Sequence, residues 1–197
     1  MKRLNIILFV LLTAALAQSC GHKNDYMPKP QAYLRLDTPD KDYRVLDTTP
    51  LPFTFEVAKE AQVLIKRDNS KEKYIDLYYP RYHATAFLTY KSIHGSAEWR
   101  AQVDTSYKFL SPHFDHSSGV DEKQYSDPQH QVLAYTYILK GQKVASTYQF
   151  WVSDSSRHFV RGALFLDQTP NNDSLAPVLD YLQQDLRHLV ETIRWRE

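Results

Sequence analysis

The chain has 197 residues, 43% hydrophobic and 13% aromatic, with 24 Lys and Arg against 23 Asp and Glu. That length suits one domain with a real core, and the even charge balance excludes nucleic-acid binding through a broad basic patch. A single Cys excludes an internal disulfide and a zinc site of clustered cysteines.

Met1-Lys2-Arg3 opens the chain with positive charge, Leu4 to Ala17 is almost wholly apolar, and Gln18-Ser19-Cys20 follows. An apolar run of this length is a signal-peptide core and too short for a membrane-spanning helix. The lone cysteine stands where a signal peptidase that cuts before a lipidated cysteine leaves it, and the small Ser19 fits. Ala17 and Gln18 depart from the commonest form, which has Leu three places before the Cys and a small residue two before. The expectation is a lipoprotein signal over 1–19 and an acyl anchor on Cys20; the alternative is an ordinary secretory signal. Loss of residues 1–19 removes Lys2 and Arg3, lowering the basic count from 24 to 22 against 23 acidic residues. Gly21 offers no inner-membrane retention aspartate, and Asp25 stands alone where surface-exported lipoproteins carry an acidic run. The expected location is the cell envelope, membrane-anchored and periplasm-facing.

Residues 20–48, with Pro28, Pro30 and Pro39, read as an extended tether with an edge strand near Lys29–Leu36. The globular body is expected over 49–197. Phe53, Phe55 and Val57 share one face of a strand that Pro50 and Pro52 introduce. Gln62–Lys66 and Lys73–Tyr79 read as a strand pair around a charged loop, Arg67–Glu72, and Tyr82–Tyr90 as a further strand. From 96 to 118 the period becomes helical: Trp99, Val103, Tyr107, Leu110 and Phe114 form a stripe, and Pro112 is expected to kink or end the helix near Lys108–Ser111. Gly119–Asp127 reads as loop.

Residues 130–167 read as three strands, with Val144 to Val152 alternating in the middle one and Gly141-Gln142 as a type II′ turn. Asn171-Asn172-Asp173-Ser174 is a cluster of helix N-caps, and Leu175 to Trp195 a helix. Its apolar face is Leu175, Val178, Leu179, Leu182, Leu186, Leu189, Val190 and Ile193; its polar face includes Asp180, Gln183, Gln184, Arg187, Glu191 and Arg194. The whole indicates an α+β domain: a single, mainly antiparallel sheet of about six to seven strands packed by two helices. By architecture alone it is similar to the PsbP/Mog1 type.

Among chemical constellations, His113 and His116 have ligand-like spacing but no third ligand, so no metal is assigned. His188 reads as a boundary residue of the last helix. Asp154-Ser155-Ser156-Arg157-His158 holds the residue types of a hydrolase triad, but consecutively in one turn and without a Gly-x-Ser-x-Gly elbow. Asp and Ser in a turn first cap its backbone amides. There is no phosphate-binding glycine loop or dinucleotide fingerprint, so no cofactor and no small-molecule substrate are identified. Tyr74, Tyr78, Tyr79, Tyr82 and Tyr90, with Tyr135, Tyr137, Tyr148 and Trp151, read first as strand residues and second as a groove.

Pro52-Phe53-Thr54-Phe55, Gln149-Phe150-Trp151-Val152-Ser153-Asp154-Ser155, His158-Phe159-Val160-Arg161-Gly162-Ala163-Leu164-Phe165, Pro170-Asn171-Asn172-Asp173-Ser174-Leu175-Ala176-Pro177 and Arg194-Trp195 resemble the gliding-motility lipoprotein GldD family. The likeness is densest from Tyr148 to Trp195. The helix around Asp104 and His113 also looks like the family's, with Pro112 a departure. The resemblance implies a non-enzymatic lipoprotein of the gliding and type IX secretion machinery, with no catalytic residue or ligand to carry over. Its partners are then the membrane, through acylated Cys20, and other envelope proteins of that machinery. Asp154, Ser155, His158, Arg161, Asn171, Asp173 and Trp195 stand as family-motif or partner-contact residues; Asp154 and Arg161 are candidates to pair with each other or with a partner. The competing reading is a periplasmic small-ligand binding module using an aromatic sheet face.

Overall fold

The structure, a computed structural model, describes residues 38–48, 51–67 and 72–196. The expected signal, Cys20, the tether up to residue 37 with its edge strand, Pro50 and the middle of the Arg67–Glu72 loop lie outside the described residues.

Alternation of apolar residues builds most of the strands. β1 (Tyr43–Leu46), β2 (Phe53–Ala58), β3 (Gln62–Arg67), β4 (Glu72–Tyr79) and β5 (Ala84–Ser92) precede α1 (Gly95–Leu110). Then come β6 (Gly119–Asp127), β7 (Val132–Lys140), β8 (Tyr148–Ser153), β9 (His158–Leu166), α2 (Asn172–Thr192) and β10 (Arg194–Trp195). Seven strands form one sheet in the order β3-β4-β5-β9-β8-β7-β6, and β1-β2-β10 form a second sheet of three. Every pairing is antiparallel. The α+β, antiparallel expectation therefore holds, with β2 moved out of the large sheet into a small one. β1 also lies inside the span read as tether, and its pairing with β2 carries the folded body back to Tyr43 at least.

The two faces of the large sheet are covered differently. Ile75, Leu77, Ala86, Leu88, Val152, Val160 and Leu164 point to the side of β2 and α2, where Phe53, Phe55, Leu182, Leu186 and Leu189 complete the main core. On the other side α1 lays Trp99 and Val103 against Trp151 and Phe159. The α1 helix stops at Leu110, and a 3-10 turn takes over at Ser111–His116, as the ring of Pro112 requires.

Two hairpins close with the same device. Pro80–Tyr82 and Pro128–His130 are single 3-10 turns, each ended by a left-handed residue, His83 at φ 46° and Gln131 at φ 53°. Three local expectations are corrected. Gly119–Asp127 is an edge strand paired along its length with β7, although both of its faces are largely exposed. The β7–β8 connection spans 141–147, so Gly141-Gln142 is not a two-residue turn and β8 begins at Tyr148. Its anchor is Asn172, whose Nδ2 donates to the carbonyls of Gly141 at 2.7 Å and Val144 at 2.9 Å. Finally α2 ends at Thr192, because Arg194-Trp195 extends to pair with Thr54 and Phe53. Among the described residues no helix is long and apolar enough to cross a membrane.

Candidate functional site

The β8–β9 turn is built around Asp154. Its side chain is 1% exposed, and its Oδ1 accepts the backbone N–H groups of Ser156 at 2.9 Å, Arg157 at 2.8 Å and His158 at 2.8 Å. Burial pushes its pKa up, but these N–H bonds prevail and hold the carboxyl below its ordinary range. Ser153 Oγ donates to the His158 carbonyl at 2.6 Å and accepts the Ser155 N–H at 2.9 Å. Those bonds hold Ser155 at φ 64°. The outer carbonyls of the turn then reach sideways: Ser156 and Arg157 accept from the N–H groups of Gly95 and Ile93, both at 2.9 Å, which fixes where α1 begins.

The folded pKa of Asp154 lies below its unfolded value. The stability it adds is therefore present above the ordinary aspartate range, near pH 4, and is lost as the pH falls through the folded pKa. Asp154→Ala is expected to lose about 2 kcal/mol at neutral pH, since three amides lose a charged acceptor. Urea titrations at several pH values check this: the gap between variant and parent should shrink as the pH drops below about 4.

His158 turns the other way, toward the main core. Its Nδ1 meets the Tyr90 hydroxyl at 3.1 Å, and its ring stacks on Trp195 with centroids 5.1 Å apart at 13°. Burial first, and then Arg157, hold its pKa below the usual range against the pull of Asp154. Trp195 also packs edge-on against Phe53 and donates Nε1–H to the Gln131 carbonyl at 3.0 Å. So Asp154, Ser155 and His158 of this turn meet Trp195, distant in sequence, at one end of the large sheet. Ser156 Oγ donates to Asp154 at 3.1 Å while His158 is engaged with Tyr90, so the triad residue types of this turn are spent on holding its shape.

Beside this cluster lies a cleft of about 250 Å³ that includes His130, Arg157, Arg194, Trp195 and Arg196. Each arginine has an acidic neighbour: Arg157 with Asp154 at 3.8 Å, Arg194 with Asp127 at 3.9 Å, and Arg196 with Asp47. His130 Nδ1 shares Asp127 at 2.6 Å. The cleft is basic in composition and balanced in charge.

The other motif residues lie elsewhere. Arg161 faces α1, where its Nη2 donates to Gln149 Oε1 at 3.0 Å; it pairs with Asp154 neither directly nor across the hairpin. Asn171 holds the N-cap position of α2 with no side-chain capping bond, and takes a 3.4 Å bond from Gln142 instead. Asp173 sits in the first turn of α2, a favourable place for negative charge. His188, read as a boundary residue, bonds Glu56 through Nε2 at 2.6 Å and stacks on Tyr43 at 3.8 Å. Among the described residues no three His, Cys, Asp or Glu side chains converge as a metal site. Of the aromatic groove, Tyr79, Tyr82, Tyr90, Tyr148 and Trp151 are buried in the packing, while Tyr74 is exposed.

One constellation escaped the sequence reading. Asp185 is 2% exposed on α2, its Oδ1 2.7 Å from Lys41 Nζ and 3.0 Å from the Tyr43 hydroxyl. The signal was present: Asp185 falls three residues after Leu182 and four before Leu189, inside the apolar stripe.

Fold and site together define an α+β domain on one dominant antiparallel sheet, whose polar turn is bonded within the fold. The sequence matches the gliding motility lipoprotein GldD family over residues 23–195, and the chain belongs to that family. It is therefore a membrane-associated lipoprotein of the gliding-motility group. Among solved structures it is similar to the solution structure of the cyanobacterial PsbP (CyanoP) from Synechocystis sp. PCC 6803. The identity is 8% and the TM-score 0.44, over 84% of this chain and 99% of that one. No curated protein matches the sequence.

Proposed function

We propose that this protein is a non-enzymatic accessory component of the gliding motility and type IX secretion machinery, acting through protein contacts at the cell envelope. The match to the GldD family over residues 23–195 carries this reading. The turn adds support: Asp154 and Ser153 bond backbone groups and Ser156 bonds Asp154, an arrangement that holds a surface rather than one that activates a nucleophile. In this reading residues 1–19 are the export signal, acylated Cys20 is the anchor, and the segment up to about β1 spaces the domain from a periplasm-facing membrane surface.

The test is a strain deleted for the gene, complemented with the parent or with Cys20→Ala. Cargo carrying the C-terminal type IX signal should vanish from the medium and surface spreading should stop. The parent gene should restore both; Cys20→Ala should restore neither and should take up no fatty-acid label. Normal secretion and spreading in the deleted strain would overturn the role.

A further inference from the structure

The α1 side of the large sheet is incompletely covered. A cavity of about 180 Å³ remains between the later turns of α1 and strands β4, β5 and β9. Its floor follows one cross-strand row, Tyr74 opposite Thr89 and Thr89 opposite Arg161. Gln102, Thr105 and Phe109 of α1 line the other side.

Arg161 is the member with no charge partner among the described residues. Its guanidinium carbon lies 4.6 Å from the centre of the Phe109 ring, and its Nη2 is bonded to Gln149, which is 3% exposed. Because Gln149 must present its oxygen to Arg161, its Nε2 is left as a buried donor. Among the described residues no carboxylate pairs with Arg161. The other charges of the cavity cancel: Lys91 Nζ stands 2.8 Å from Glu72 Oε1, and the Tyr74 hydroxyl donates to Glu72 Oε2 at 2.7 Å. Neighbouring groups register the surplus. Burial, then Arg161 and His116, hold His113 below its ordinary range, and burial lowers Arg161 itself.

A half-buried cation held by one amide and one ring is under-compensated. The guanidinium gives Gln149 one Nη2–H; the other Nη2–H forms a fork with Nη1–H or with Nε–H, which fits a planar, two-oxygen acceptor. One surplus charge beside the Glu72 carboxylate favours a monoanion over a phosphate dianion. Sites for whole metabolites run to roughly 300–1,000 Å³, so a cavity of about 180 Å³ suits a side-chain-sized group.

We propose that this cavity is a receptor for one carboxylate of a partner protein, an acidic side chain or a free C-terminus, bound by Arg161. This deepens the contact role proposed above and rests on it.

Full-length protein in detergent is titrated calorimetrically with benzoate, and with benzamide as the neutral counterpart. Benzoate should bind and benzamide should not. Arg161→Gln should weaken benzoate by about tenfold or more, the loss of one charged pair, and Arg161→Lys should recover part of it. Thr105→Glu, which places a carboxylate inside the cavity, should block benzoate with the fold intact. Equal binding of the two probes, no saturable benzoate binding, or indifference to Arg161→Gln would overturn the receptor. In cells, a photo-crosslinker at Gln102 should capture a protein that is lost in Arg161→Gln; capture unchanged by that substitution would overturn the partner assignment and leave a free small carboxylate as the ligand. Normal secretion in the deleted strain, with benzoate binding intact, would remove the role and keep the receptor. Normal secretion in Arg161→Gln alone would overturn the link between them.

Discussion

Gly162→Ala is expected to destabilise the protein by about 3 kcal/mol, a large cost for one added methyl. Gly162 lies in mid-β9, opposite Leu88 of β5 and Phe150 of β8. A Cβ there would stand 2.3 Å from both Cε1 and Cζ of Phe150. That ring is 1% exposed and lies across the glycine, so it has no solvent to swing into. Glycine in a strand interior ordinarily weakens it; here the close approach of a ring supplies the reason for its presence. The midpoint of urea unfolding should fall with an unchanged slope. Phe150→Leu in the Gly162→Ala background should recover part of the loss by clearing the ring edge. A single variant as stable as the parent would mean that Phe150 has a second place to go.

The parts of the fold legible in the sequence are those where one face is buried. β2, β4 and β5 alternate because alternate residues enter a core, and the stripe of α2 is periodic for the same reason. β6 shows the converse. Its residues Gly119–Asp127 are mostly exposed on both faces, so nothing in their hydrophobicity distinguishes them from a loop; the strand exists because β7 offers it a full ladder of partners. β1 and β10 are too short to show a pattern and are likewise made by pairing with β2. In the β7–β8 connection, Val144 and Ser146 continue the alternation of β8 in sequence, yet the backbone leaves the ladder there because Asn172 draws the Gly141 and Val144 carbonyls toward α2.

The candidate site divides along similar lines. Asp and Ser announced the turn, since their side chains satisfy local amides. What they did not announce is the meeting of His158 with Tyr90 and Trp195, or the assignment of Arg161 to the opposite face. Both follow from strand register: successive residues of β9 alternate between the main core and α1, so a motif contiguous in sequence is split between the two sides of the sheet. That split is why Asp154 and Arg161, close in sequence, serve different surroundings.

Lys41→Met is expected to cost about 3 kcal/mol, more than an exposed ion pair is worth. The reason lies in its partner. Asp185 has a side chain 1% exposed against 24% for Lys41, so removing the lysine strands a carboxylate that water hardly reaches. Asp185 Oδ1 would keep only the Tyr43 hydroxyl at 3.0 Å, while its Oδ2 has no hydrogen-bond partner. Lys41 itself is tied at three points: Asp185, the Tyr181 carbonyl at 2.7 Å, and the Tyr181 ring, whose centre is 3.0 Å from Nζ. Burial lowers the lysine pKa against the pull of Asp185, and it raises the Tyr43 hydroxyl well above the ordinary tyrosine range, with Asp185 adding to the rise. These directions describe charges held at a desolvation cost. The pair also joins the segment before β1 to α2, so its loss should loosen the start of the folded body in hydrogen exchange. The discriminating measurement is a double-mutant cycle by chemical denaturation. Asp185→Leu alone removes the acceptor of both Lys41 and Tyr43, whereas Lys41→Met with Asp185→Leu removes both charges and should recover most of the stability lost in Lys41→Met. If both single variants stay within about 0.5 kcal/mol of the parent, the pair is solvated like a surface bridge and the anchoring of β1 to α2 rests on Tyr43 and His188 instead.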